Sequence, residues 1–268
     1  MNTTILENYD PAWARLLLLL GEKRLNRLRC ARVAIFGLGA VGSFATEALA
    51  RSGIGYLRLI DFDEVKASNL NRQLFALRST LGKAKADLAK DRVKDIHPST
   101  IVDSQKIFFS EEIAESCLDG NLDYVIDAID SIRPKVSLIR SAVNKKIPIV
   151  CAMGAAGRLF PGKVRCTDIS ETKDCPLCRH VRKKLHRYGI RSGVTAVWSD
   201  EPFKEISEEE KQEVQGIFDE KETFRRGRVR SPLPSMVFVP ATVGIYAAQH
   251  VVTSLLGLSA ENEKKEIE

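Results

Sequence analysis

The sequence predicts an α/β fold, a mostly parallel sheet with helices on both faces, and three observations predict it. Apolar strand-like runs alternate with stretches of helical apolar period from residue 32 to residue 152. The first of these runs breaks into three glycines, Gly37, Gly39 and Gly42, just before the first such helix. Two later runs end in acids, at Asp61 and at Asp127 to Asp130, as strands do when their carboxyl ends face a ligand crevice.

Residues 1–30 read as a helical entrance, with Leu16, Leu17, Leu20, Leu25 and Leu28 on a stripe interrupted at Gly21. Then come strand 32–36, helix 41–52, strand 56–60, helix 83–96, strand 101–107, helix 111–118, strand 123–129, helix 133–145 and strand 147–152. Repeated βαβ units of this kind give a parallel sheet covered on both sides. Beyond Gly154 the pattern changes to strand-like 163–167, a basic helix-like stretch 179–188 and strand-like 194–198. The acidic stretch 200–222 reads as a solvated excursion, the last apolar helix starts near Thr242, and 259–268 reads as a disordered tail. We therefore expect one domain over 1–268, with a nucleotide-binding core at 31–153 and a C-terminal, substrate-side extension at 154–258.

The 268 residues are 44% hydrophobic and 28% charged, ordinary soluble composition. The longest apolar stretches, 16–20 and 243–258, are too short or too interrupted by Gln249, His250, Thr253 and Ser254 to span a bilayer. No leader-peptide pattern opens the chain. A net charge of +6 favours an anionic partner such as RNA, although a modest excess also suits a protein that binds only nucleotides. The six cysteines follow no disulfide spacing, which points to a reducing compartment and a cytoplasmic location. Cys175 and Cys178 form a C-x-x-C, but no cysteine follows to make a second pair. Cys166 with His180 or His186 would have to complete a zinc site, so two ordinary thiols near a helix start are expected instead.

The glycines carry the first chemical signal. Gly37 permits a tight turn, Gly39 lets the backbone approach a phosphate, and Gly42 allows close helix packing. The helix that follows offers unpaired N–H groups to an anion. Asp61, at the end of the second strand, is placed to receive ribose hydroxyls. A glycine turn that only packs strand on helix is the alternative, but turn, helix and distal acid agree on a nucleotide. Downstream lie Asn69-Leu70-Asn71-Arg72-Gln73 and Gly82-Lys83-Ala84-Lys85. Hydride transfer from a nicotinamide needs a flat pocket, whereas a triphosphate needs cations and amide donors as pyrophosphate leaves. Asn69, Arg72 and Lys85 supply the latter set, and Asp130 suits magnesium. Each also has a plainer reading: Arg72 and Lys85 as surface charges, Asn69 as a turn former, Asp130 as a helix cap.

Together the patterns G-x-G-x-x-G, D-x-D, N-x-x-R-Q, G-x-x-K and D-A-x-D, at Gly37–Gly42, Asp61–Asp63, Asn69–Gln73, Gly82–Lys85 and Asp127–Asp130, resemble the adenylation domain of the ubiquitin-activating superfamily. Within it, YVIDAIDSIRPKVSLI, VKDIHP, CRHVRKKLHRYGI, VWSDEP and MVFVPATVGIYAAQHVV look like the tRNA threonylcarbamoyladenosine dehydratase branch, and the resemblance covers about residues 15–258. It implies a Rossmann-like fold and a single adenylation domain. It further implies that Asp61 binds ribose, that Asn69, Arg72 and Gln73 lie at the phosphates, that Lys85 serves the phosphate or ribose region, and that Asp130 holds Mg2+. Arg15 matches an arginine that reaches the partner subunit's ATP, which implies a homodimer. Two departures matter. The molybdopterin and thiamine branches carry paired C-x-x-C zinc motifs, and here only Cys175/Cys178 is present; the later region 226–234 reads RGRVRSPLP, without a cysteine to accept an acyl group.

The activity so implied is ATP-dependent cyclisation of N6-threonylcarbamoyladenosine in tRNA. The alternative is activation of the C-terminus of a ubiquitin-like sulfur-carrier protein, and sulfur-transfer proteins are possible partners in either case. A nucleotide-responsive binding protein and a nicotinamide dehydrogenase are the remaining rivals. Two basic clusters outside the ATP motifs suit tRNA: Arg179, Arg182 and Lys183 on the helix-like stretch, and Arg225, Arg226, Arg228 and Arg230 beside a glycine. The first is equally readable as a solvated helix face.

Overall fold

The computed structural model describes residues 10–204, 206–214, 224–225, 228–229 and 233–258. α1 (Ala14–Cys30) is two helical pieces meeting at Gly21, whose φ of 75° no L side chain adopts readily. Then follow β1 (Arg32–Phe36), α2 (Gly42–Arg51), β2 (Tyr56–Ile60), α3 (Lys85–Ile96), β3 (Ile101–Gln105), α4 (Ala114–Cys117), β4 (Tyr124–Asp127), α5 (Ile132–Asn144) and β5 (Ile149–Ala152). The second half adds β6 (Val164–Asp168), α6 (Pro176–His186), β7 (Thr195–Ser199), α7 (Glu208–Val214), the short pair β8 (Phe224–Arg225) and β9 (Arg228–Val229), and α8 (Phe238–Leu256).

Seven strands form one sheet in the order β3-β2-β1-β4-β5-β7-β6, and only β6 runs antiparallel to its neighbour. The expected α/β, Rossmann-like architecture is present, and β6 and β7 of the extension join the same sheet as the core strands. Alternation along the strands sends Val33 and Ile35 to one apolar layer and Ala34 and Phe36 to the other. The first layer is closed by α2, α3 and α8, the second by α4, α5 and α6. The chain leaves β1 towards β2 and β3 on one side, then crosses to β4 on the other. That reversal opens a crevice at the carboxyl ends of β1 and β4, where a Rossmann-like sheet takes its ligand.

Most boundaries move by a few residues from the sequence expectation, and three departures have a clear physical reason. α6 starts at Pro176 rather than 179, because proline suits the first helical position and Cys175 caps it. α8 starts at Phe238 rather than Thr242; Pro240 sits in its first turn, where the missing N–H costs nothing. Part of the acidic excursion is α7, opened by Glu208, Glu209 and Glu210 at the positive end of its dipole. Residues 215–222 and 259–268 lie outside the described residues. With its earlier start, α8 is long and apolar enough to cross a bilayer, at mean hydropathy 1.2 over 18 residues. It packs instead on α2, β5 and β6, and a Cβ at Gly244 would stand 2.4 Å from the Val41 carbonyl oxygen.

Candidate active site

Three loops leave the sheet side by side at the crevice. The Gly37 N–H donates to the Ile60 carbonyl at 2.8 Å, and the Ala128 N–H donates to the Phe36 carbonyl at 2.8 Å, so the ends of β1, β2 and β4 are stitched together. Gly37 has φ +88°, and a Cβ there would lie 2.7 Å from the Ala128 oxygen. A Cβ on Gly42 would lie 1.8 Å from the Gly37 oxygen, so α2 abuts the turn backbone to backbone. Gly39 differs: a Cβ there would meet nothing nearer than Gln73 Nε2 at 3.7 Å. It faces open space at the amino end of α2, where the first-turn N–H groups point.

The loop after β2 brings the second group. Asp61 is buried, its Oδ2 accepting from the Leu38 N–H at 2.6 Å and its Oδ1 from the Asp63 N–H at 2.7 Å. Burial raises its pKa, against the opposing pull of the Lys85 charge and the two N–H donors. Each carboxylate oxygen keeps a second lone pair for a ribose hydroxyl. Lys85 is buried at the start of α3, with Nζ 3.4 Å from Asp63 Oδ2, so it is no surface charge. Asp63 holds that ammonium in place.

Asn69 ends the short 3-10 segment Ala67–Asn69, and Arg72 and Gln73 lie in the tight turn that follows it. Asn69 is buried and its Oδ1 accepts from the Lys66 N–H at 3.2 Å, so it is a turn former as well as a crevice residue. Arg72 donates through Nη1 to the Ser68 carbonyl at 2.6 Å and to Asn71 Oδ1 at 2.8 Å, which fixes its guanidinium at the turn. Gln73 faces Gly39 across the cradle. Ser43 ties the two: its buried Oγ accepts from the Leu74 N–H at 3.1 Å. In the sequence Ser43 shows only as a small hydroxyl directly after the third glycine.

The two acids after β4 divide their work. Asp127 is fully buried against an equally buried Lys135, Nζ to Oδ2 2.7 Å, and Lys135 also donates to the Ala152 carbonyl at 2.9 Å. This pair joins β4, α5 and β5 beneath the crevice, and a lysine on a helix gives no sequence sign of it. Asp130 is exposed and accepts from Ser131 Oγ at 3.0 Å. The residue at the N-cap of α5 is Ser131, so Asp130 does not cap that helix. Among the described residues no group of three His, Cys, Asp or Glu side chains gathers to hold a metal. One exposed carboxylate suits magnesium shared with substrate phosphates, the usual arrangement for that ion.

The other predicted residues lie elsewhere. Arg15 is exposed on the first piece of α1, beside Leu18 and Leu19, which are 88% and 75% exposed. On α6, Arg179 and Lys183 are exposed, while Arg182 is half-buried and donates to the carbonyls of Ile169 and Thr172 at 3.3 and 2.5 Å, stapling α6 to the preceding turn. Arg225 and Arg228 are paired positions of the β8–β9 ribbon; Arg226 and Arg230 lie outside the described residues.

The model of the ThiF family matches residues 13–267. The chain belongs to the ThiF family. It is 42% identical over 239 residues to the tRNA threonylcarbamoyladenosine dehydratase of Bacillus subtilis, covering 89% of this chain and 92% of that one. The solved structure of the Escherichia coli tRNA N6-threonylcarbamoyladenosine dehydratase in complex with ATP superposes with a TM-score of 0.79 at 32% identity, over 92% of this chain and 96% of that one. The molybdopterin-synthase adenylyltransferase of Salmonella typhimurium is also similar, 32% identical, but over only 56% of this chain and 59% of its own length. Likeness to the dehydratases thus runs through about nine-tenths of the chain, and likeness to the adenylyltransferase through little more than half.

Proposed function

We propose that this chain is an ATP-dependent tRNA threonylcarbamoyladenosine dehydratase. One observation carries the reading: the open Gly39 cradle, buried Asp61 and Lys85, the Arg72 turn and exposed Asp130 all lie on loops and helix starts at one end of the sheet, in a chain related over nearly its full length to dehydratases. A threonyl carboxylate acylates poorly because its leaving group would be oxide or hydroxide. Its oxygen attacks the α-phosphorus of ATP, the bond to the bridging oxygen breaks, and pyrophosphate leaves; the product is an acyl adenylate. The carbamoyl group of the same nucleoside then attacks the acyl carbon and AMP departs. Ring closure is intramolecular and draws on a large effective molarity, so no enzymic nucleophile is needed.

In this scheme Arg72 and Lys85 stabilise charge on the transferring phosphate, with Asn69 and Gln73 lining it, while Asp61 takes the ribose and the glycine turn with the N–H groups of α2 cradles phosphate. Asp130 would hold Mg2+, which neutralises phosphate charge when bound. Arg15, exposed beside Leu18 and Leu19, suits a homodimer in which it reaches the partner subunit's nucleotide. Arg179 and Lys183, with Arg225, Arg226, Arg228 and Arg230, form the tRNA surface, and Arg182 supports it by fixing α6. The six unpaired cysteines suit a reducing cytoplasm, and sulfur-transfer proteins remain candidate partners. The test is nucleoside mass spectrometry of tRNA from cells with and without the protein. Loss of the cyclised nucleoside on deletion supports the reading; an unchanged profile overturns it.

A further inference from the structure

The C-x-x-C motif stands outside the proposed reaction. Cys175 is the N-cap of the 11-residue helix α6, and its Sγ accepts from the Cys178 N–H at 3.5 Å. Both thiols are buried, Cys175 at 4% exposure. A Cβ placed on Gly154 would lie 3.3 Å from Arg158 Nη1 and 3.5 Å from Cys175 Sγ, so the guanidinium and the sulfur flank one glycine. Arg158 is only 3% exposed. Its Nε donates to the Glu201 carbonyl at 3.0 Å, and its Nη1 to those of Gly154 and Ala156 at 2.5 and 3.3 Å. Its Nη2 is buried without a hydrogen-bond partner. A buried cation with an unspent donor, packed beside a capped sulfur, is the setting that favours a thiolate.

The titration of the pair agrees. The Cys178 thiol hydrogen bond, helped by the N–H groups of Cys178 and Gly154 and by the Arg158 charge, outweighs burial and lowers Cys175 to about 5. Cys178 is pushed up, above all by donating to Cys175 and then by burial. The pair therefore holds one thiolate and one thiol. Cys117, Cys151 and Cys166 are all raised, with burial the leading cause in each.

We infer that Cys175 and Cys178 form a reversible dithiol–disulfide centre whose oxidant is a small hydroperoxide. Residues three apart at a helix start have Cα atoms roughly 5 Å apart, inside the span of about 4.4–6.8 Å that a disulfide needs. The Cys175 thiolate attacks one oxygen of hydrogen peroxide: an S–O bond forms, the O–O bond breaks, and hydroxide leaves. Hydroxide takes the Cys178 proton to become water. The Cys178 sulfur, now a thiolate, then displaces the hydroxyl group from Cys175 as hydroxide, which takes from solvent the proton that Cys175 gave up on ionising and becomes water. Two thiols and one peroxide give one disulfide and two waters. A dithiol reductant reverses the bridge by exchange. No third and fourth ligand stands by among the described residues, which separates this pair from a structural metal site.

The experiment titrates the full chain with hydrogen peroxide, quenches it, alkylates it in denaturant and maps the peptides by mass. The expected result is a 175–178 peptide lighter by two hydrogens, formed at doses that leave Cys117, Cys151 and Cys166 as thiols and reversed by dithiothreitol. In Cys178→Ser the bridge is lost and Cys175 stops at a sulfenic acid that dimedone traps. The inference is overturned if the pair stays reduced while exposed Cys30 is oxidised, or if native mass spectrometry finds stoichiometric zinc that Cys175→Ser releases. The readout is chemical and stands or falls apart from the dehydratase reading.

Discussion

In the proposed reaction Arg72 and Asp130 do different work, and substitution separates charge stabilisation from metal holding. Arg72 is held at its turn by hydrogen bonds to Ser68 and Asn71 and is not among the buried core residues. Arg72→Ala should fold normally and lose about 3 kcal/mol of transition-state stabilisation, on the order of a hundredfold in pyrophosphate release. A near-normal rate, with thermal unfolding unchanged, would remove Arg72 from the site. For Asp130→Asn the loss should be partly recovered by added magnesium, since an amide is the weaker ligand. Identical magnesium titrations for both proteins would deny Asp130 that role. Lys135 gives the opposite signature: Lys135→Met strands Asp127 as a buried unpaired charge and should cost about 3–5 kcal/mol of stability, read as a lower urea midpoint.

At the level of elements, the glycine turn should respond position by position. A Cβ on Gly42 collides with the Gly37 carbonyl, so Gly42→Ala must part α2 from the turn and lower the melting temperature. Gly39→Ala meets only Gln73 at 3.7 Å and should fold as the parent does. The new methyl enters the cradle, however, and ATP affinity should drop by roughly tenfold, about 1.4 kcal/mol. Equal ATP affinity for parent and Gly39→Ala would place the phosphates elsewhere. The helices also carry a pH dependence. Burial lowers the pKa of His97, just after α3, and of His250 in α8. The folded chain then resists protonation that the unfolded chain accepts, so the stability these residues contribute is intact above about pH 6.5 and is lost as pH falls towards their folded values. Both rings should titrate below the free-histidine value by proton NMR.

For the whole molecule, what was legible follows local periodicity and turn chemistry. The strand-helix alternation, the Gly21 kink and the crevice glycines all lie in contiguous residues, and the sheet reproduces them. What was hidden depends on partners distant in sequence. Lys135 looks like any helical lysine until β4 and β5 close over it, and Ser43 acts only once Leu74 folds back onto α2. α8 starts before Thr242, with Pro240 in a first turn that accepts it. Binding of tRNA is a property of the assembled surface: replacing Arg179 and Lys183 with Ala should weaken it and flatten the slope of log affinity against log salt by roughly 1.5. ATP affinity should stay unchanged. The central claim is tested most directly by pyrophosphate release from ATP, measured with purified protein and either tRNA bearing N6-threonylcarbamoyladenosine or the same tRNA unmodified. The account predicts release, with conversion to the cyclised nucleoside, from the modified tRNA alone; release that ignores the modification, or that requires the C-terminus of a carrier protein, would contradict it.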